Sequence, residues 1–286
     1  MPHDNTLKMP VLVLGATSLI GRWLIAALRD QGTEPVAVSR RPPSDEACWI
    51  DADLADPNLE ASLPPVATVF SLSPIWLLPA ALPALKARGL SRLVVFSSTS
   101  RFTKQDSDIA AEREVAASLA AAEAEVEAFC AQNGVAWTIL RPTLIYDEGH
   151  DGNVSRLAGL IRRFGVLPLS GQGEGLRQPV HAQDLAVGAL AAATATAAQN
   201  RAFDLVGGET LTYRQMATRV FEGLGRRPAV IPLPPALFGL MLKAASPFLP
   251  GATAAMGSRM GADLTFDSGD ATRDFGWAPR GFRPKF

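Results

Sequence analysis

The sequence predicts an α/β protein built on a doubly wound, mostly parallel sheet, with a smaller lobe toward the C-terminus. Three observations predict it. Short apolar runs alternate with helix-length segments from residue 11 to residue 140. A glycine-bearing turn, GATSLIG over 15–21, follows the first run directly. Hydrophobic residues make up 48% and charged residues 19% of the 286, a balance that supports one large α/β domain or one domain with an appendage.

The elements follow in order. Residues 11–14, VLVL, are a strand-length apolar run that breaks at Gly15, and residues 19–29 carry the apolar spacing of a helix. Residues 35–38 read as a second strand, ended by Ser39, Arg40, Arg41 and two prolines. Residues 68–72 are a third, and 79–88 are helical despite Pro83. A fourth strand covers 92–98; then come a long Ala- and Glu-rich helix over 109–132 and a strand over 135–140. Strands joined by helix-length crossovers pair in parallel with helices on both faces, and such sheets bind ligands outside the carboxyl ends of their strands. Gly15, Ser39, Ser71, Ser97 and Arg141 stand at those ends.

Past Pro142 the texture changes to Gly, Pro and Arg, as in GQGEG at 171–175. Residues 203–206 read as a late strand and 213–224 as a helix capped by Thr212. Low complexity is limited to the alanine-rich stretches 110–128 and 189–198, which favour helix. Residues 1–146, with 176–206 returning to them, are expected to form the sheet domain, and 147–175 with 207–286 the smaller lobe.

Composition excludes several classes of function. The formal net charge of −1 offers no bulk attraction to nucleic acid or an anionic membrane, and the aromatic spacing of a nucleic-acid binder is missing as well. Cys48 and Cys130 lack metal-ligand spacing, so no metal is expected, and two isolated thiols suit a reducing, cytoplasmic setting. Residues 1–8 are polar and carry no signal-peptide pattern. The most hydrophobic window, 233–249, is interrupted by Lys243 and bounded by prolines, short of the ~18–20 apolar residues of a membrane span. It reads as a buried or pocket-covering helix, with peripheral membrane or partner contact as the other reading.

The turn after the first strand carries the chemistry. Gly15 permits a tight turn and Gly21 lets the following helix pack closely on the sheet. The helix start at Thr17, Ser18, Leu19 and Ile20 then presents backbone N–H groups and a positive dipole end to a pyrophosphate. Ser18 stands where a second glycine is usual; its Cβ narrows the approach, and its hydroxyl offers a hydrogen bond in return. At the end of the second strand a carboxylate would bond a ribose 2′-hydroxyl, whereas Ser39, Arg40 and Arg41 suit a dianionic 2′-phosphate by charge and fork geometry. NADP(H) is therefore expected ahead of NAD(H). Asp53, followed by Leu54, fits an adenine contact through the exocyclic amine.

GATSLIG, the DADL of 51–54, VVFSSTS at 94–100, ILRPTLIYD at 139–147, QPVHAQDLA at 178–186 and DATRDFGWAPRGF at 270–282 occur in this order. Together they resemble the extended short-chain dehydrogenase/reductases, the nucleoside-diphosphate-sugar epimerase/dehydratase group. The likeness is closest to its atypical branch, which is similar to the NAD(P)-binding accessory subunit of respiratory complex I. The resemblance implies a Rossmann-type sheet. It also implies that Ser71, Leu72 and Ser73 lie under the adenosine ribose and pyrophosphate, and that Ser97, Ser98 and Thr99 border the nicotinamide ribose. Pro142, Thr143, Leu144 and Ile145 would receive the carboxamide on backbone groups. His181 and Asp184 match the family's H-x-x-D return to the sheet, a matter of capping and packing.

Members of the family that transfer hydride use a tyrosine and a lysine four residues later, the ammonium lowering the phenol pKa. This chain has two tyrosines, Tyr146 and Tyr213, and neither precedes a lysine by four. Matching Glu125 to the acidic residue that often follows the lysine puts the pair at Ala117 and Ala121, both methyl groups. Thr99 remains as the hydroxyl that would polarise a substrate carbonyl. Glu123, Glu125 and Glu127 read as a solvated helix face, and Tyr146 as a packing residue. Two functions are carried forward: an NADP(H)-bound reductase or epimerase-like enzyme acting on an unidentified small molecule, and a non-catalytic NAD(P)H-binding sensor, assembly or accessory protein. The alanines of the long helix would allow a close homodimer contact; a protein partner is the other option.

Overall fold

The computed structural model describes residues 6–43, 48–245, 257 and 260–286. The chain forms two compact units, one of 1–143, 182–205 and 267–278, the other of 144–181, 206–266 and 279–286.

The first unit is a seven-stranded parallel sheet. Its strands are β1 (Val11–Leu14), β2 (Val36–Ser39), β3 (Trp49–Asp51), β4 (Thr68–Ser71), β5 (Arg92–Phe96), β6 (Ala136–Pro142) and a late strand, Arg201–Leu205. Their spatial order is Arg201–Leu205, β6, β5, β4, β1, β2, β3. The order reverses beside β1, so the crevice at its carboxyl end is the ligand position of a doubly wound sheet. β1, β4 and β5 are buried along their whole length, as strands covered by helices on both faces must be.

On one face α3 (Leu78–Ala87) and α5 (Ala110–Asn133) pack over Leu12, Leu14, Val69, Leu93, Val95 and Ile139. Alternation along the strands sends Val11, Val13 and Val94 to the opposite face, where α1 (Leu19–Asp30) lies against the helix Ala182–Thr194. Between these elements come α2 (Leu59–Ser62) and α4 (Ser100–Thr103), and a helix Gly269–Phe275 closes the unit. β3 was not expected as a strand: it is three residues long and half-exposed, too short to show a period.

The second unit pairs β7 (Ile145–Tyr146) with β10 (Val180–His181), β8 (Leu167–Ser170) with Val230–Leu233, and β9 (Leu176–Arg177) with Leu211–Thr212. Its helices are α6 (Val154–Phe164), Tyr213–Gly223 and Pro235–Ala245. They close a core around Leu157, Ile161, Leu169, Val220, Phe221 and Phe238. The capping expected at Thr212 is a full capping box, Thr212 Oγ1 accepting from the Gln215 amide while the Gln215 side chain accepts from the Thr212 amide.

Several boundaries differ from expectation. Residues 144–146, 176–181 and 206 belong to the second unit, where β7 pairs with β10 and β9 with Leu211–Thr212, and 267–278 belong to the first, where Arg201 is ion-paired to Asp270 and Asp274. Of the hydrophobic window 233–249, residues 246–249 lie outside the described residues. Among the described residues no helix is long and apolar enough to cross a membrane.

Candidate functional site

β1 ends at Gly15, whose φ of +69° favours glycine. A Cβ there would lie 2.6 Å from the Ser73 amide nitrogen and 2.9 Å from the Leu72 carbonyl carbon, so the bare backbone lets the turn meet the loop leaving β4. A Cβ on Gly21 would lie 2.2 Å from the Ala16 carbonyl oxygen, so α1 reaches its own turn only through glycine. Ser18 caps α1, its Oγ accepting from the Gly21 amide at 3.2 Å. That bond uses an oxygen lone pair and leaves the hydroxyl proton to donate, as the expected role of Ser18 requires. The amides of Leu19 and Ile20 open the helix and have no intrahelical acceptor.

Around this turn the other strand ends assemble. Ser39 Oγ is 3.1 Å from Thr17 Oγ1 and accepts from the Arg41 amide at 3.2 Å. Arg40 and Arg41 are both exposed and no carboxylate pairs with either among the described residues. Asp53 is exposed and accepts from the Ala55 amide at 3.0 Å, whereas Leu54 is buried in the core. Ser71 is fully buried and its hydroxyl has no hydrogen-bond partner among the described residues, an orphaned polar group beside the turn's own strand. Leu72 donates its amide to the Leu14 carbonyl at 2.9 Å.

The strand end at Ser97, Ser98 and Thr99, expected to border a nicotinamide ribose, is more committed than the sequence implied. Thr99 is buried and donates its hydroxyl to the Pro142 carbonyl at 3.1 Å, a carbonyl that also accepts from the Thr99 amide. Ser98 Oγ accepts from the Ser100 amide, and the Thr143 amide donates to the Leu205 carbonyl. The Pro142 carbonyl and the Thr143 amide are thus engaged within the sheet. Thr99 polarises a carbonyl only by releasing Pro142.

Glu123 overturns an expectation outright. It was read with Glu125 and Glu127 as a solvated face, yet it is fully buried and Glu125 is exposed. Arg141 donates to it from Nε at 3.1 Å and Nη2 at 2.6 Å, Ser97 Oγ donates at 2.5 Å, and Arg101 is ion-paired to it. Burial acts to raise the carboxyl, but the bonds from Arg141 and Ser97 and the two guanidinium charges outweigh it and hold it below the ordinary carboxylate range. The signal for this was in the sequence: Ala116, Leu119, Val126 and Cys130 recur at helical spacing, and Glu123 falls on their stripe.

Ala117 and Ala121 are exposed on α5, and α5 contains neither tyrosine nor lysine.

Beside this cluster the first unit holds a cavity of about 220 Å³ lined by Arg141, Phe203, Asp204, Asp267 and Asp270. Burial raises the Asp204 carboxyl, with the Arg141 charge acting against it.

In the second unit the Leu144 carbonyl accepts from the Val180 amide at 2.9 Å, and Ile145 pairs across to Val180. Tyr146 is buried with its ring edge-on to His181 and Phe282, the packing role expected of it. His181 Nε2 is 3.0 Å from Glu148 Oε2, and Asp147 joins them so that one ligand atom from each lies within 4.8 Å of the others.

Residues 79–205, from α3 to the strand Arg201–Leu205, match the family described as NAD dependent epimerase/dehydratase, which agrees with the resemblance carried by the motifs. No curated protein matches the sequence significantly. Among solved structures the chain is similar to MoeE5 in complex with UDP-glucose and NAD, with 23% identity over 96% of this chain and 94% of that one and a TM-score of 0.73. It is also similar to UDP-glucose 4-epimerase of Thermotoga maritima, with 18% identity over 95% and 94% and a TM-score of 0.72. UDP-glucuronic acid 4-epimerase of Bacillus cereus, in complex with UDP-glucuronic acid and NAD, matches with 15% identity over 96% and 95% and a TM-score of 0.73. At these identities the likeness shows the Rossmann-type fold.

Proposed function

With residues 79–205 carrying an epimerase/dehydratase-family segment, we propose that the first unit binds a nicotinamide dinucleotide, NADP(H) in preference to NAD(H), and that the protein acts on a small molecule of the nucleotide-sugar kind without a tyrosine–lysine pair. The observation that carries this reading is the glycine turn: bare backbone at Gly15 and Gly21, where a Cβ would collide with Ser73 and Ala16, draws the turn tight and leaves it opening on the amides of Leu19 and Ile20. The orphaned Ser71 hydroxyl in the adjacent strand supports it, since a buried hydroxyl without a partner costs about 1–3 kcal/mol unless a ligand bonds it. Arg40 and Arg41 would hold the 2′-phosphate, with Ser39 removing the carboxylate that would repel it.

The bound dinucleotide would supply hydride exchange at its nicotinamide ring. The chain's own residues would bind and orient it: Ser18 and the first turn of α1 at the diphosphate, Asp53 at the adenine, and Ser97 and Thr99 at the ribose end. Glu123 stays a carboxylate at neutral pH, locked by two arginines, and so moves no proton there. The lack of any tyrosine or lysine in α5 favours a second reading, a non-catalytic NAD(P)H-binding sensor or accessory protein.

Calorimetry with NADPH and NADH tests the site. Arg40→Ala is expected to weaken NADPH about tenfold, the worth of one charge-assisted bond, and NADH little. Equal weakening removes the NADP(H) preference, and no saturable binding of either nucleotide removes the site. NADPH oxidation with a panel of keto- and nucleotide sugars separates the two readings: saturable binding without turnover leaves the binder.

A further inference from the structure

The net charge of −1 conceals a division. The residues of the first unit include 14 Lys and Arg against 21 Asp and Glu, net −7, and those of the second 13 against 7, net +6. Within the second unit the excess is concentrated. Arg162 and Arg163 end α6, and Arg226 and Arg227 precede the strand Val230–Leu233. That strand pairs in parallel with β8, so both pairs of arginines arrive at the same end of a two-stranded ribbon. The Leu167 amide donating to Ala229 at 2.9 Å and Arg226 Nη1 donating to Ile161 at 2.8 Å tie that end together.

All four arginines are exposed, and among the described residues none has a carboxylate partner. Several arginines elsewhere are neutralised: Arg101 and Arg141 on Glu123, Arg201 on Asp270 and Asp274, Arg219 and Arg283 on Glu209. Four uncompensated guanidinium groups gathered from two chain segments repel one another unless an anion joins them. Between them stand two exposed apolar side chains. Phe164 is 54% exposed, with the Arg163 guanidinium over its ring at 5.1 Å from the centroid, and Val166 is 40% exposed; they lie on either side of Gly165, whose φ of +73° turns the chain out of α6.

We propose that this edge of the second unit docks on an anionic phospholipid surface. The guanidinium forks bind headgroup phosphates, and Phe164 with Val166 enters the interfacial layer. A nucleic-acid backbone or an acidic protein would match the charge; a lipid interface matches the charge and takes the exposed phenylalanine and valine into the same layer.

Vesicle sedimentation of the full chain tests this. The protein is expected to sediment with phosphatidylcholine vesicles containing phosphatidylglycerol and to stay in solution with phosphatidylcholine alone. At about fivefold per basic residue, Arg162→Gln/Arg163→Gln and Arg226→Gln/Arg227→Gln each lower the partition coefficient about 25-fold. Phe164→Ser is expected to lower it about tenfold and to do so at high salt as well, where charge is screened. Unchanged melting curves of the variants report that the fold is intact. The proposal is overturned by equal sedimentation with neutral vesicles, or by arginine variants that bind as the parent does. Binding of polyglutamate or duplex DNA as tight as binding of the anionic vesicles also overturns it. So does salt-sensitive self-association without vesicle binding, which would assign the patch to a second copy of the chain.

Discussion

Glu123 shows how much one side chain decides in this site. Its carboxylate is the shared acceptor of Ser97, Arg101 and Arg141, so it anchors the end of β5, the start of α4 and the end of β6 to α5 at once. Replacing it with glutamine keeps the shape and removes the charge that two largely buried guanidinium groups face. Removing one partner from such a cluster costs about 3–5 kcal/mol, because the remaining charges are left uncompensated. The pH dependence follows from the direction of the shift. The folded carboxyl titrates below its unfolded value, so its contribution is complete above the unfolded carboxylate range and is lost as pH falls through the depressed folded value. Urea titrations should therefore show Glu123→Gln far less stable than the parent at pH 7, with the gap narrowing in acid. A gap that stays constant down to pH 3 would mean that shape or packing, and not charge, is what Glu123 contributes.

At the scale of elements, Arg92 plays a comparable part with no carboxylate. It is buried at the first position of β5 and spends its donors on Ala192 and Ala193 at the end of the helix Ala182–Thr194, on Leu93, and on Ala136 and Thr138 of β6. A cation on the last carbonyls of a helix satisfies orphan acceptors and complements the dipole, and burial lowers the guanidinium to about 10, still charged at neutral pH. Arg92→Leu should cost about 3 kcal/mol or more by chemical denaturation, and Arg92→Lys should recover only part, since one ammonium cannot reach acceptors on three elements. A leucine variant as stable as the parent would show that solvent replaces these bonds.

The strands around Arg92 were legible in sequence because buried parallel strands are continuous apolar runs. The ribbon of β8 and Val230–Leu233 was not: each strand carries a proline, Pro168 and Pro232, and their register joins residues more than sixty apart. α6 went unassigned as well, its two-faced pattern lying inside the stretch rich in Gly, Pro and Arg. In the candidate site the glycine turn was legible because its residue types are dictated by close approach. Glu123 was not, because the alanines on every side of α5 blur the boundary between its faces.

At the scale of the whole molecule, ligand binding and folding are linked. A dinucleotide that occupies the turn between β1 and α1 binds only the folded sheet, because Gly15 reaches Ser73 of a distant strand end only when β1 and β4 are paired. At a hundredfold excess over its dissociation constant such a ligand adds about 2.7 kcal/mol to the first unit. For a unit of this size each kcal/mol raises the melting temperature by about 2–4 °C, so saturating NADPH should raise the transition by about 5–10 °C. At equal concentration NADH should raise it less, the difference being the worth of the 2′-phosphate on Arg40 and Arg41. Arg40→Ala then supplies the control within the same experiment, since it should shrink the NADPH shift toward that of NADH while leaving the NADH shift in place. Equal shifts for both nucleotides in the parent would keep the diphosphate site and remove the phosphate preference. No shift with either would leave the glycine turn as packing alone, with the closeness of Gly21 to Ala16 as its whole purpose.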